Sequence, residues 1–219
     1  MATSADVIYE QVRAMAANFE LRPNERVNES ALSRKLGASR TPIREVLNRL
    51  VAEGLLIRKS DKGFYCRSLS PNTIVELYEL REAIECAAIR LAVQRASDSE
   101  ISALRDFQTE IMPRYTSDAR AREIVRLDEE FHLKLVGLAH NTEMTRAIEN
   151  LYEQIRFVRW ISMRHKIDIT HAAHSEILDV VAARDLENAP RLLSSHVRTS
   201  TDEATETVRE AYSQIYMPS

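Results

Sequence analysis

Two cysteines, Cys66 and Cys86, are too few and too widely spaced for a disulfide framework or a metal knuckle, so both read as small buried hydrophobes. Only four glycines and six prolines interrupt the 219 residues, and aromatics make up 6% of them. That scarcity argues against a many-turned all-β fold and favours a helical, well-packed one. No apolar run approaches the ~20 residues that a membrane span needs. The N-terminus also lacks the basic-then-apolar order of a signal peptide, so the expected compartment is the cytoplasm and no membrane partner is expected. Neither a nucleophile motif nor a glycine-rich phosphate loop is present, which weighs against an enzyme.

Charge is unevenly spread behind a net value of -3. Residues 1–70 carry 12 Lys/Arg against 8 Asp/Glu, whereas the remainder carries 18 against 25. A basic head therefore precedes an acidic body, and Pro71, after "SLS", marks the boundary between residues 1–70 and 71–219.

In the head, Val7, Ile8, Val12, Met15 and Phe19 recur at helical spacing, and "LRPNERVN" breaks the pattern. The short helix "ESALSRKL" ends at Gly37, a residue suited to a left-handed cap. Ser39 or Thr41 can cap the next helix, and Pro42 is tolerated in its first turn. Ile43, Val46, Leu47, Leu50 and Val51 give that helix a full apolar stripe. Leu55 and Ile57, then Phe64 and Cys66, alternate with polar residues around a glycine turn, which predicts a hairpin. The sum is a winged helix-turn-helix.

Beside the apolar stripe, Arg40, Arg44 and Asn48 form an exposed row at i, i+4 and i+8. Cations at a helix start oppose the helix's own partial positive charge unless an anion faces them. Double-stranded DNA supplies that anion. The N-terminal turns of such a helix enter the major groove, and arginine grips guanine or phosphate there. Lys62 and Gly63 at the wing tip can reach the neighbouring minor groove or backbone. A bland alternative has the arginines solvated and paired with Glu45 or Glu53. The balance of 9 Lys/Arg against 3 Asp/Glu over residues 30–67 favours DNA.

The stretch "ESALSRKLGASRTPIREVLNRLVAEGLLIRKSDKGFYC" closely resembles the DNA-binding domain of GntR-family bacterial transcription regulators. The resemblance implies contacts to operator DNA from Arg40 and Arg44, helped by Ser39, Thr41 and Gly63. Several members of that family place an arginine early in the second helix, where this chain has Ser30; Arg34 is one candidate substitute.

Beyond Pro71, apolar residues repeat at helical spacing through Ile74, Leu77, Leu80, Ile84 and Leu91. Further helices are expected over 98–112, 119–139, 142–165, 168–183 and 186–214. The fold class is mainly α, with the winged head followed by an all-α bundle of about six helices. Within the body, "LDEEFHLKL" sets Asp128 and His132 on one helix face, flanked by Leu127, Phe131 and Leu135. His171, His174 and His196 also lie among apolar residues. A carboxylate and several imidazoles facing a bundle interior can hold Zn²⁺, Ni²⁺ or a similar divalent ion. Spacing alone equally allows hydrogen-bonded core histidines.

The body resembles the FCD effector-binding domain of the fatty-acid-regulator branch of the same family. In metal-binding members an Asp-x-x-x-His pair and two later histidines share one cation, which implies Asp128, His132, His174 and His196 here. His171 is a spare candidate better read as a surface residue, and His140 and His165 read as structural. The resemblance further implies a homodimer that senses a small organic acid and alters operator binding, commonly as a repressor. Arg81 could take such an acid's carboxylate, or it could pair with Glu85 one turn on. Two other readings stay open. One is a metal-dependent hydrolase or lyase, although Glu129 and Glu130 lean away from Asp128's face; the other is a metal-free body binding a ligand such as acyl-CoA.

Overall fold

The computed structural model describes residues 4–60, 62–114, 121–163, 167–199 and 201–217. The head begins with α1 (Ser4–Ala17), α2 (Glu29–Leu36) and α3 (Arg40–Ala52), followed by an antiparallel hairpin of β1 (Leu56–Lys59) and β2 (Gly63–Cys66). Asn28 caps α2 by accepting from the Ala31 N–H, and Gly37 closes the helix at φ 63°, where a side chain would be strained. Ile43, Val46, Leu47 and Leu50 of α3 are buried, as their spacing predicts. Val7 does not join the core; it is 48% exposed, and Tyr9 is buried instead.

The hairpin forms with a register one residue from the expected alternation. Leu56 pairs with Cys66 and Arg58 with Phe64, so Leu56 faces inward while Ile57 is 38% exposed. Leu55 is also buried, because its N–H closes the turn after α3 onto the Leu50 carbonyl. The inward face of β1 thus starts one residue later than the sequence pattern implies, and a one-residue slip exchanges the two faces.

The body is a bundle of α4 (Pro71–Arg95), α5 (Asp98–Ile111), α6 (Ala121–Gly137), α7 (Thr142–Ser162), α8 (Ile167–Ala182), α9 (Asn188–Val197) and α10 (Thr201–Tyr216). Ser70 caps α4 and Pro71 occupies its first turn, where the missing N–H costs nothing. Helix α4 is central. Its small residues Ala88 and Ala92 are fully buried, and the Cys86 thiol donates to the Pro190 carbonyl on α9. The segment expected as one helix over 186–214 is divided. Arg198 is extended, and the Thr199 hydroxyl donates to Glu203 across the break. Pro190 sits in the first turn of α9.

Head and body share one hydrophobic cluster. Phe157, Val158 and Ile161 of α7, with Ala204, Val208 and Ala211 of α10, pack into the same core as Val12, Phe19, Leu47 and Phe64. Phe19 meets Phe157 edge to face with centroids 5.4 Å apart. The guanidinium of buried Arg67 lies 4.7 Å from the Phe19 ring centre and donates to the Gln154 carbonyl at 2.5 Å. Helix α7 is therefore in direct contact with the head.

Candidate functional site

Two sites are built on this frame, one on the head and one inside the body. On the head, Ser39 is the N-cap of α3 and makes no side-chain capping bond. Ser39, Arg40, Thr41, Arg44 and Asn48 are all exposed, while the apolar stripe of α3 faces inward. Arg40 Nη2 donates to Ser30 Oγ at 3.0 Å, and Arg44 Nε lies 3.7 Å from Glu29 Oε2. The alternative pairing with Glu53 does not occur. Glu53 is taken by Arg49 and by the Tyr9 hydroxyl, whose pKa is pushed up to about 12 by burial and by that bond. Lys62 is exposed at the wing tip, and Gly63 begins β2 at φ 90°. Arg58, which the spacing argument passed over, donates to Asn48 Oδ1 at 3.4 Å and ties the wing to the same face.

Inside the body, α6 supplies Asp128 and His132, α8 supplies His174 and α9 supplies His196. Their donor atoms all lie within 4.8 Å of one another. His196 Nε2 stands 3.1 Å from both His132 Nε2 and His174 Nε2, and Asp128 Oδ1 is 3.3 Å from His174 Nε2. Donors at about 2.0–2.1 Å from a divalent ion would be separated by ~3 Å, so these spacings fit one shared cation. Three further observations agree with that fit. Asp128 Oδ1 is buried and, among the described residues, has only the ion-pair contact with His174 and no well-aligned hydrogen bond. His132 Nδ1 lies 2.7 Å from Glu85 Oε2, a carboxylate that an Nδ1–H can serve while Nε2 is turned toward His196. Burial, then His132 and His174, hold the His196 pKa well below its ordinary value, favouring the neutral ligand form.

Glu85 was foreseen only as a partner for Arg81, yet it organises the floor of this site. It accepts from Arg81 Nε at 2.6 Å and from the Tyr152 hydroxyl at 2.8 Å. Burial alone would raise its pKa; Arg81 and then His132 outweigh that and hold it far below the usual carboxylate range. Asp128 is likewise held low against burial, first by Arg159. Arg159, on α7, pairs with Asp128 and with Glu129 Oε1 at 3.2 Å. The spacing of "RFVRW" resembles an ordinary helix surface, so nothing in the sequence marked it.

A cavity of about 390 Å³ opens beside the cluster, lined among others by Tyr78, Arg81, Asp128, Arg159, Met163 and His196. Arg81 makes the ion pair with Glu85 that was the second role considered for it, and it also lines this cavity. From Asp128 a series of ion pairs leads outward. Arg159 reaches Glu129, Glu129 Oε2 takes Arg156 Nη2 at 2.8 Å, Arg156 Nη1 meets Glu153 Oε1 at 2.5 Å, and Glu153 lies 3.3 Å from Arg13 Nη2 on α1. Glu130 points elsewhere, toward Arg126 and Lys134. His140 is exposed and pairs with Glu100 at 2.9 Å. His165 and the side chain of His171 lie outside the described residues.

The gntR family of bacterial regulatory proteins matches residues 4–66, and the FCD domain matches residues 76–199. The chain is 42% identical over 202 residues to the Nta operon transcriptional regulator of Aminobacter aminovorans, covering 92% of this chain and 95% of that protein. It is 30% identical over 190 residues to the HTH-type transcriptional regulator YdhC of Bacillus subtilis (strain 168), covering 86% and 85%. Among solved structures, E. coli McbR/YncC superposes with a TM-score of 0.67 at 18% identity, covering 98% of this chain and 99% of that one, which is a likeness of fold.

Proposed function

The chain belongs to the gntR family of bacterial regulatory proteins and carries an FCD domain, and we propose that it is an operator-binding repressor whose grip is set by a small organic acid bound beside a divalent metal. Residues 1–70 act as the DNA-binding unit and residues 71–219 as the sensing and dimerising unit, in the manner of the fatty-acid-regulator branch. In the head, Arg40 and Arg44 contact bases or phosphates from the first turns of α3, with Ser39, Thr41, Lys62 and Gly63 holding the backbone on either side.

In the body, Asp128, His132, His174 and His196 hold Zn²⁺, Ni²⁺ or a similar ion, and Glu85 keeps His132 in the ligating tautomer. When bound, the ion supplies a Lewis-acidic point for a carboxylate or hydroxyl. Arg81 and Arg159 line the same cavity and offer guanidinium forks to the rest of the acid. Support for dimerisation comes from α4, where Leu80 is 49% exposed and continues a row through Leu77, Ile84 and Leu91. A twofold pair of heads then reads two half-sites.

The observation that carries this reading is the position of Asp128. It belongs to the ligand cluster, lines the cavity, and begins the ion-pair series that ends on α1 of the head. An acid that draws Arg159 toward the cavity weakens its hold on Asp128 and Glu129, giving the ligand different contacts in two states, as control requires. The test is binding of pure protein to duplex DNA from upstream of its own gene, with and without Zn²⁺ or Ni²⁺ and a panel of organic acids. Salt-sensitive, sequence-selective binding that Arg44→Ala weakens, and that one acid reverses only with metal present, is expected. Undiminished binding by Arg44→Ala removes the DNA assignment; a response indifferent to chelation removes the metal one.

A further inference from the structure

The cleft between the segment before α2 and the first turns of α2 and α3, about 570 Å³ in volume, holds Arg26 beside Arg40 and Arg44. Spacing did not single out this residue, because it precedes α2 in a segment without helical or strand periodicity. Its backbone is nevertheless fixed. The Asn24 N–H donates to the Cys66 carbonyl at 3.2 Å, Cys66 N–H to Glu25 at 3.0 Å, and Val27 N–H to Phe64 at 2.8 Å. Arg26 itself bridges Tyr65 in the antiparallel sense, so residues 24–27 act as a third edge of the wing. Val27 is buried and Arg26 exposed, the alternation that an extended segment imposes.

The guanidinium is carried up to Gly63, the first residue of β2. Its Nε and Nη2 each lie 3.5 Å from where a Cβ on Gly63 would stand. The neighbouring cations are steadied by α2, Arg40 by Ser30 and Arg44 by Glu29. Asn28 is spent on capping α2. Arg26 has no hydrogen bond or ion pair among the described residues. Three guanidinium groups thus share one cleft with the single carboxylate of Glu29, an excess of positive charge that favours a bound anion.

We propose that Arg26 is a DNA-contacting residue that grips the backbone phosphate lying between the recognition helix and the wing. The assignment rests on the reading of α3 as the groove-entering helix. Arg26 is anchored to the wing edge rather than to α3, so it sets register and affinity and leaves base choice to the side chains of α3. It also supplies the cation that Ser30 withholds from α2. Arg34, the substitute considered from sequence, is exposed on α2 and does not line the cleft.

The test uses the full chain and the tightest duplex selected by it from a random-sequence pool, titrated across a series of salt concentrations. Arg26→Ala should weaken binding about tenfold near 0.1 M salt, reduce the salt slope by about 0.9, and leave the selected sequence unchanged. Arg26→Lys should restore most of the slope, and Arg34→Ala should match the unaltered protein. Because Arg26 is exposed, thermal stability should be unaffected in all three. A slope and affinity unchanged by Arg26→Ala overturn the proposal, as does a changed base preference, which means a base contact. Equal losses from Arg34→Ala also overturn it, since they reveal a diffuse charge effect. Arg44→Ala separates the two levels. If it too has no effect, the α3 reading fails; if it weakens binding while Arg26→Ala does not, only the role of Arg26 falls.

Discussion

The Nδ1 atom of His132 lies 2.7 Å from Oε2 of Glu85, and neither side chain is exposed to solvent. This contact sets Nδ1 against a carboxylate and so turns Nε2 toward His174 and His196. Carboxylates in this position typically contribute 10–100-fold to metal affinity. Glu85→Gln should lower Zn²⁺ or Ni²⁺ affinity by about that factor in calorimetric titration. Glu85→Ala should also cost roughly 3–5 kcal/mol of stability, because it strands the buried Arg81. Unchanged metal affinity in Glu85→Gln, with the fold intact, rules out the tautomer-setting role.

Arg159 and a cation at the cluster both answer the negative charge of Asp128. Without metal, Arg159→Met should be strongly destabilising, by about 3–5 kcal/mol, since Asp128 loses its guanidinium partner and Glu129 keeps only Arg156. Added metal should recover part of that loss, because it neutralises Asp128 from the other side. Thermal melts of both proteins, with chelator and with excess Zn²⁺, provide the comparison. A larger metal-induced gain in the variant than in the unaltered chain is expected; equal gains mean that the two charges do not share Asp128.

How far the sequence led depended on whether the information was local. The apolar stripe of α3 and the Gly37 cap were legible because periodicity and a left-handed φ belong to single segments. Asp128 and His132 could be paired at i, i+4, but their convergence with His174 and His196 was implied only by family resemblance. Arg159 and the wider role of Glu85 depend on how α4, α6 and α7 pack and rotate against one another, which no single helix encodes. The inward face of Leu56 was missed for a related reason, since a turn bond from Leu55 to Leu50 shifts the register. Arg26 escaped because its strand-like geometry is imposed by β2 and not by its own sequence.

Acid should release a local clamp on α5. Glu100 Oε2 accepts from the Ser97 N–H at 2.8 Å and the Ser97 hydroxyl at 2.7 Å, while Oε1 meets His140. The Ser97 N–H first, then its hydroxyl and His140, hold the Glu100 pKa down at about 2 from an ordinary 4.5. A depressed carboxyl pKa gives stability that is fully present above the unfolded value and lost as pH falls through the folded one. The thermal advantage of the unaltered protein over Glu100→Gln should therefore be constant at neutral pH, shrink below about 4.5, and vanish near 2. A gap that persists at pH 2 assigns the effect to packing instead.

The ion pairs between Asp128 and Arg13 give a specific expectation for communication between sites. Arg13 is 26% exposed, so its pairing with Glu153 adds little to stability, at most about 1 kcal/mol. Its position matters more, because it is the end of the series on the DNA-binding head. Arg13→Ala should leave metal binding and effector-free DNA affinity nearly intact. The ratio of DNA affinities without and with effector should fall by roughly 2–30-fold, the range of 0.5–2 kcal/mol seen when coupling residues are altered. Glu153→Gln should act in the same direction, and the double variant should do no more than the stronger single one, because both changes break one connection. Shared apolar packing through Phe19 and Phe157 offers a parallel route and should leave a residual response. A full response in Arg13→Ala, measured with the same duplex and acid, would assign the coupling to that packing and leave the ion pairs a purely structural part.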